Sequence, residues 1–253
     1  MSKSVADRAE REREAYNAGL DDRYRSFLME SMHQFEQWRI AKGAAIIKAS
    51  ASQHVLEIGS YAWHKHVERG GCDVPGLICI NISEQEMAKG KALAENSRNR
   101  PDFRLMDAHS LDFPENSFDV VFGSAILHHL DMERALPEIA RVLKPGASMF
   151  FHEPMDLNPV ARIVRMLTPK SRTDDERPFR LRDLALIHAH FDVEMTFTEF
   201  LTVPLGALCT ALGISGDSVM MRAAFIADQA IGKIPGVRLW SRHVFIVGRA
   251  KAR

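Results

Sequence analysis

The chain has 253 residues, of which 46% are hydrophobic and 26% charged, an ordinary composition for a globular protein. Lysine plus arginine equals aspartate plus glutamate at 33 each, so the basic excess of most nucleic-acid-binding proteins is missing and we expect no nucleic-acid partner. Cys72, Cys79 and Cys209 have no zinc-binding spacing, so we expect no metal, and their odd number argues against a disulfide framework. Because the N-terminus also lacks the apolar segment of a signal peptide, we expect a cytoplasmic location.

The first 50 residues predict an N-terminal helical cap. From Tyr24 onward, large apolar side chains recur at offsets of three and four, which predicts an amphipathic helix over about 22–49. The side chains that form this stripe are Tyr24, Phe27, Leu28, Met32, Phe35 and Trp38.

From residue 54 the pattern changes to short apolar runs alternating with helical segments. Ser83, with Glu86 three residues later, predicts a capping box, and Asp131 is a second candidate cap. Pro137 should kink the helix that follows Asp131 or mark a fresh start. Alternation of this kind predicts a doubly wound, mostly parallel sheet with helices on both faces. The predicted strands are 54–58, 77–81, 103–106, 118–123 and 147–152, and the helices between them are 63–69, 83–96 and 131–143.

The remainder of a domain over 51–253 contains two insert or lid segments, at about 154–180 and 200–240. The first is predicted to be a long loop with a short helix near 159–167. A helix at 181–190 and strands at 192–199 and 243–248 follow. Residues 200–216 carry no charge but are short and interrupted for a membrane span, which favours a buried helix pair or a lid over peripheral membrane contact.

Small, polar or acidic residues directly follow the predicted parallel strands. Ligands of open α/β sheets bind beyond the carboxyl ends of the strands, so these residues are expected to line one crevice. They are Gly59-Ser60-Tyr61, Asn81-Ile82-Ser83, Asp107-Ala108-His109, Gly123-Ser124 and His152-Glu153.

An ordered series of motifs resembles the class I methyltransferases that use S-adenosylmethionine (SAM). Val55-Leu56-Glu57-Ile58-Gly59 resembles their first motif, and 107–121 is similar to the adenine-contact loop and fourth strand of the ubiquinone and small-molecule branch. Residues 127–130 and 138–146 continue the series. The resemblance covers about 55–153. It implies a Rossmann-like seven-stranded sheet, SAM as cofactor, and methyl transfer to an oxygen, nitrogen or carbon of a small molecule.

The resemblance also implies roles for individual cofactor-binding residues. The loop after the first strand would surround the methionine part of SAM, the second strand end would hold the ribose, and the third would hold the adenine. The implied residues are Glu57, Gly59, Ser60 and Tyr61 for the loop, Asn81 for the ribose, Ile82, Asp107 and Ala108 for the adenine, and Ser124 for the methionine amino end.

Two departures from the family pattern concern this cofactor site. Tyr61 and Trp63 stand where the family has glycines, so they must reshape the loop or fill part of the pocket. Asn81 replaces an acidic residue and should grip a diol less firmly, because hydrogen bonds to a charged group are stronger. The alternative is therefore a methyltransferase-fold protein that does not methylate, using SAM structurally or serving as a ligand-binding scaffold. A nicotinamide oxidoreductase is disfavoured because G-x-G-x-x-G is missing.

Catalytic and acceptor-binding candidates follow from the same arrangement. His128, His129 or His152 could be a general base, because histidine titrates near neutrality; the first two could equally be a solvated and a packed turn residue. Glu153 could be a base or an anchor for an amine, or a surface carboxylate of a loop. Tyr24, Phe27 and Trp38 could border the acceptor pocket or pack in the core. Both a monomer and a homodimer remain open.

Overall fold

The computed structural model describes residues 10–15, 29–50, 54–159, 162–163, 166 and 177–251. Tyr24 and Phe27 lie outside the described residues, as does part of the predicted insert at about 154–180, including residues 167–176. Residues 10–15 are helical, and residues 159, 162–163 and 166 are helical where a short helix was predicted.

Seven strands form a single sheet in the order β3-β2-β1-β4-β5-β7-β6, which confirms the predicted Rossmann-like class. The strands are β1 (His54–Ile58), β2 (Gly76–Asn81), β3 (Asp102–Leu105), β4 (Phe118–Ser124), β5 (Leu143–Pro154), β6 (Phe191–Thr198) and β7 (His243–Ala250). The α-helices are α1 (Met29–Ala49), α2 (Glu84–Ala94), α3 (Met132–Val142), α4 (Leu181–His190), α5 (Thr202–Leu212) and α6 (Val219–Ile231). Shorter helical turns occupy His64–Arg69, Leu127–His129 and Val237–Trp240.

The direction of the strands determines which residues meet. Strands β1 to β5 pair in parallel, and β7 runs antiparallel to both β5 and β6. Strand β6 is therefore parallel to β5. The end of β6 and the beginning of β7 thus lie at the same edge of the sheet as the carboxyl ends of β1 to β5.

The structure differs from the sequence-based expectations in three places. Strand β5 begins at Leu143, directly where α3 ends, and its pairing with β4 shifts register across Pro145 and Gly146. Helix α3 continues through Pro137, so no fresh start occurs there. Ser83 does cap α2 by accepting from the Glu86 amide, but Asn81 Oδ1 takes the Ser83 amide at 2.9 Å, so the second half of the capping box is wrong.

Two apolar clusters cover the two faces of the sheet. The first packs α3 and α4 against one face through residues such as Leu136, Ile139 and Ile187. The second packs α1 and the turn at His64–Arg69 against the other face, with Trp63 and Phe150 inside it. The buried runs of β1, β4 and β5 therefore lie between helices on both sides, as parallel strands require.

The uncharged stretch 200–216, predicted to be a buried helix pair or a lid, contains one helix, α5, and α6 follows it. Helix α5 packs on α1 and is capped from α6, because Asp228 accepts from the amides of Phe200, Leu201 and Thr202 at 2.6–3.1 Å. The Thr202 hydroxyl donates to the same carboxylate at 2.7 Å. Within the described parts of the chain, no helix is both long and apolar enough to cross a membrane.

Replacement of Asp228 by alanine is expected to destabilise the protein. The change leaves the amides at the start of α5 without their acceptor in a site where Asp228 itself is 1% exposed. Buried donors without partners cost about 1–3 kcal/mol each, partly relieved by water, so we expect a loss of about 2–4 kcal/mol in the free energy of unfolding. Urea denaturation measures it. The neighbouring Gln229→Ala is the control and should change stability by less than about 0.5 kcal/mol.

Candidate active site at the carboxyl edge of the sheet

The loop after β1 is built around a buried carboxylate. Glu57 is 1% exposed, and its Oε1 accepts from the amides of Tyr61 and Ala62 at 2.9 and 2.6 Å. Cys79 Sγ donates to Oε2 at 3.1 Å. Burial raises the pKa of the Glu57 carboxyl, and these hydrogen bonds oppose the rise. Gly59 has a φ of 120°, which side-chain-bearing residues rarely adopt, so the chain turns sharply before reaching Tyr61.

The two aromatic residues of this loop point to different surroundings. Trp63 is fully buried in the second apolar cluster, with its ring 6.3 Å from that of Phe103. Tyr61 is 41% exposed. Trp63 therefore packs in the core rather than in the crevice, and the chain passes directly into a π-helical turn at His64–Arg69. Such turns are frequent at functional sites.

Asn81 joins the ends of β1 and β2. Its Nδ2 donates to Ser60 Oγ at 3.0 Å, and its Oδ1 accepts from the Ser83 amide at 2.9 Å. Ser60 Oγ in turn donates to the Glu86 carbonyl at 3.0 Å. Asn81 thus uses both its donor and its acceptor within the protein, which the acidic residue of the family pattern could not do.

Asp107 is oriented by His109, a residue that the sequence interpretation did not assign. The Asp131 amide donates to His109 Nε2 at 2.8 Å, so Nε2 is unprotonated and Nδ1 carries the hydrogen. Nδ1 donates to Asp107 Oδ1 at 2.6 Å, and the His109 amide donates to the same oxygen at 2.9 Å. Burial alone would raise the pKa of Asp107, but these bonds lower it overall. Half-exposed Asp107 is held ionised at the strand end.

The remaining cofactor candidates lie where the strand ends place them. Ile82 is partly buried after β2, and Ala108 is buried beside Asp107. Ser124 is exposed at the end of β4, and the following Ala125 has a positive φ of 54° and donates its amide to the His152 carbonyl at 2.8 Å. The structure thus brings the predicted residues together along one edge. Their roles toward SAM stay predictions.

His128 and His129 each have a carboxylate partner. Glu153 is fully buried in β5, so it is not the surface carboxylate of a loop; it accepts from the amides of Ile126 and Leu127 at 3.0 and 2.9 Å and from His128 Nδ1 at 2.7 Å. His129 Nδ1 lies 3.0 Å from Oε2 of Glu12, in the helical residues 10–15. The two imidazole rings are 4.1 Å apart. The helical residues 10–15 therefore contact the turn at Leu127–His129, which follows β4.

His152 belongs to a different network, centred on Glu199. Glu199 follows β6 with a φ of 67°, a strained value for a residue with a side chain, and is fully buried. It accepts from Arg39 at 2.5 Å, from Arg242 at 3.2 Å and from His243 Nδ1 at 2.8 Å. Arg39 also lies 3.1 Å from His152 Nε2. Burial would raise the pKa of Glu199, but His243 and Arg39 hold it well below its ordinary value.

The Arg39 contact fixes the protonation of His152. A guanidinium only donates hydrogen bonds, so His152 Nε2 must be the acceptor and the ring is neutral. Burial and the Arg39 charge accordingly hold the pKa of His152 well below its ordinary value. His152, Glu199 and His243 offer metal-ligand atoms within 4.8 Å of one another, but Arg39 already supplies the positive charge between His152 and Glu199.

Sequence reasoning missed Arg39, Glu199, Arg242 and His243, and it placed His109 in the crevice without giving it a role. For His109 the signal was the Asp-x-His spacing after a strand. For Glu199 and His243 it was their position at the ends of strands that share the carboxyl edge. Trp38 was predicted either to border the acceptor pocket or to pack in the core. It packs on Phe245 with ring centroids 5.4 Å apart, which favours the second alternative.

Another buried histidine lies behind the β1 loop. His66 is 3% exposed, and its ring packs 5.1 Å from that of Phe150. Burial first, and then the charge of Arg39, lower the pKa of His66 to about 3. His66 is therefore neutral in the folded protein throughout the physiological pH range.

Comparison with known proteins identifies part of the chain. Residues 58–151 match a family model described as a methyltransferase domain. The glycine/sarcosine/dimethylglycine N-methyltransferase of Actinopolyspora halophila is 34% identical over 88 residues, which cover 34% of the chain and 15% of that protein. An O-methyltransferase of Aspergillus sclerotiorum is 29% identical over 108 residues, or 42% of the chain and 41% of the relative. The chain thus spans less than half the length of these relatives.

A solved structure supports the fold over a longer stretch. The N-methyltransferase NodS of Bradyrhizobium japonicum, in complex with S-adenosylhomocysteine, superposes with a TM-score of 0.55 at 14% identity. The superposition covers 92% of this chain and all of that one. At this identity the likeness concerns the fold alone.

The low pKa of His66 predicts a loss of stability in acid. The unfolded chain binds a proton near pH 6.5, whereas folded His66 does so only near pH 3, so its contribution is complete above pH 6.5 and is lost as the pH falls toward 3. We expect His66→Gln to reduce the stability difference between pH 7 and pH 5 by about 2 kcal/mol. Urea denaturation at both values measures it, and His54→Gln, at an exposed histidine, should keep the wild-type difference.

Proposed function

We propose that the chain, whose residues 58–151 match a methyltransferase domain, is a class I SAM-dependent methyltransferase that transfers a methyl group from SAM to an oxygen, nitrogen or carbon of a small molecule. One observation carries the proposal: the segment that matches the methyltransferase domain, 58–151, coincides with the strands from the end of β1 to β5 whose ends form the crevice. The fold and the matched motifs therefore point to the same edge of the molecule.

In this proposal three neighbouring strand ends hold the cofactor. The Glu57-organised loop surrounds the methionine part, Asn81 lies at the ribose and Asp107 accepts from the adenine amino group. Asn81 is already bonded to Ser60 and Ser83, so it contributes to the ribose site partly by fixing the two loops. The burial of Trp63 supports a usable crevice, because this ring is packed in the core.

The chemistry asks little of the protein beyond alignment. SAM carries its methyl group on a sulfonium, so the donor is already activated. Holding the acceptor in line with the methyl and sulfur atoms supplies about 7–11 kcal/mol relative to free reactants. The protein must also exclude water and, for an acceptor that loses a proton, provide a base.

We assign the base to His128. Glu153 accepts from His128 Nδ1, which leaves Nε2 as the basic nitrogen of the neutral ring and orients it from a buried, backbone-anchored carboxylate. His152 is a weaker candidate because burial and the charge of Arg39 hold its pKa well below the ordinary value. His129 depends on Glu12, which lies in the N-terminal residues rather than in the sheet.

The acceptor atom stays open within this proposal. The relatives named above are an N-methyltransferase and an O-methyltransferase. The residues that would shape the acceptor pocket lie outside the matched segment, in the N-terminal helices and in the inserts after β5 and β6.

SAM affinity tests the cofactor site. Asp107→Ala is expected to weaken SAM binding at least about tenfold in titration calorimetry, because it removes a charged hydrogen-bond acceptor from the adenine site. Asp112→Ala, at an exposed aspartate in the same segment, is the control and should bind as the wild type does. Unchanged affinity in Asp107→Ala would remove the adenine assignment, and no SAM binding by the wild type would contradict the proposed function.

A comparison of adjacent histidines tests the base. On an acceptor identified by release of S-adenosylhomocysteine, His128→Gln should lower kcat about 10²–10⁴-fold and abolish the acid limb of the pH–rate profile. SAM affinity should not change. His129→Gln is the matched variant and should retain the acid limb, so an equal loss in both variants would overturn the assignment to His128.

A further inference from the structure

The segment between β6 and β7 exposes an apolar surface with a basic border. Val219 and Ile226 on α6 are 84% and 68% exposed, and Trp240 in the following turn is 53% exposed. Ile234 and Val237, which lie between the end of α6 and Trp240, are also exposed. These side chains form the surface that we call the α6 face: Val219, Ala223, Ile226, Ala230, Ile234, Val237 and Trp240.

The periodicity of α6 shows that its exposed apolar side chains lie on one side of the helix. Val219, Ala223, Ile226 and Ala230 follow helical spacing of three and four residues, so they form one stripe that points away from the protein. Their opposite stripe, which contains Met221 and Ala224, is buried. Val237 and Trp240 are three residues apart in a 3-10 turn and therefore share a side as well.

Within the segment that carries the α6 face, the exposed charges have one sign. Between Ser218 and Ser241 the exposed charged residues are Arg222, Lys233 and Arg238, whereas the single acid, Asp228, is buried at the start of α5. Asp217, just before α6, is engaged by Gln34 Nε2 at 2.9 Å and by His33 at 3.4 Å. An exposed apolar stripe with an exposed tryptophan and a basic border is the arrangement of helices that lie in a membrane interface.

We propose that the α6 face docks on the surface of a bilayer that contains anionic lipid. Apolar side chains would enter the headgroup boundary and the basic residues would meet lipid phosphates, without any segment crossing the membrane. The insert begins after β6 and ends before β7, so docking would place the bilayer beside the edge of the sheet that carries the crevice. This inference does not depend on methyl transfer.

Vesicle sedimentation tests the docking directly. The wild-type protein should sediment with phosphatidylcholine vesicles that contain phosphatidylglycerol, and less with phosphatidylcholine alone or at high salt. Trp240 should report binding by a blue shift of its fluorescence, since Trp63 is buried and Trp38 partly buried. Trp240→Phe should lose the shift but still sediment.

Matched variants separate the two contributions to binding. Arg222→Glu/Lys233→Glu should weaken vesicle binding by roughly 25-fold or more, about fivefold for each basic side chain lost. Lys91→Glu/Arg249→Glu changes net charge equally at exposed sites elsewhere and should have a much smaller effect. Ile226→Ser should weaken binding about tenfold or more, whereas Leu105→Ser, at the opposite edge strand β3, should not.

Two outcomes would overturn the proposal. One is failure of the wild type to bind anionic vesicles. The other is a dimer, detected by light scattering without lipid, that Ile226→Ser returns to a monomer, which would make the α6 face an interface between copies of the chain. SAM binding by the same preparations, measured separately, keeps either result distinct from a failure of the proposed function.

Discussion

Buried carboxylates at the carboxyl edge of the sheet are the constraint on which this architecture depends. Glu57, Glu153 and Glu199 end or follow three strands and are at most 1% exposed. An uncompensated buried charge would cost several kcal/mol, so each must be surrounded by donors. Glu57 and Glu153 use the backbone amides of the neighbouring loop, and Glu199 uses arginine and histidine side chains. Satisfying these carboxylates therefore positions the loops that follow β1 and β4 and the side chains around the end of β6.

The same requirement determines which ring nitrogen carries hydrogen in the histidines along this edge. Where the partner is a carboxylate, as for His128 with Glu153, the ring donates from Nδ1, so Nε2 is the basic atom of its neutral form. Where the partner is a donor, as for His152 with Arg39, the ring is confined to accepting. Two histidines at neighbouring strand ends thus acquire different chemistry from their partners, which is why equal histidine letters in a sequence do not imply equal roles.

Sequence was sufficient where one local rule determines the structure. The alternation of strands and helices predicted the sheet, and the position of Asp107 after β3 predicted its place at the crevice edge. Long-range partners were not accessible in this way. Glu199 is 160 residues from Arg39 in the sequence, and His129 is 117 residues from Glu12, so no local sequence pattern predicts either contact. Even locally, the capping box failed because Asn81 competed for the Ser83 amide.

The insert that carries the α6 face is fixed to the edge it borders. The Arg242 amide donates to the Glu199 carbonyl at 3.1 Å, closing the insert at its base, and the Met155 amide donates to the Arg242 carbonyl at 2.8 Å. Asn158 Nδ2 donates to the Trp240 carbonyl at 2.7 Å. The exposed tryptophan is therefore held by the residues that follow β5, the strand that also supplies His152 and Glu153. Any partner that engages the α6 face is consequently brought to the side of the protein where the crevice opens.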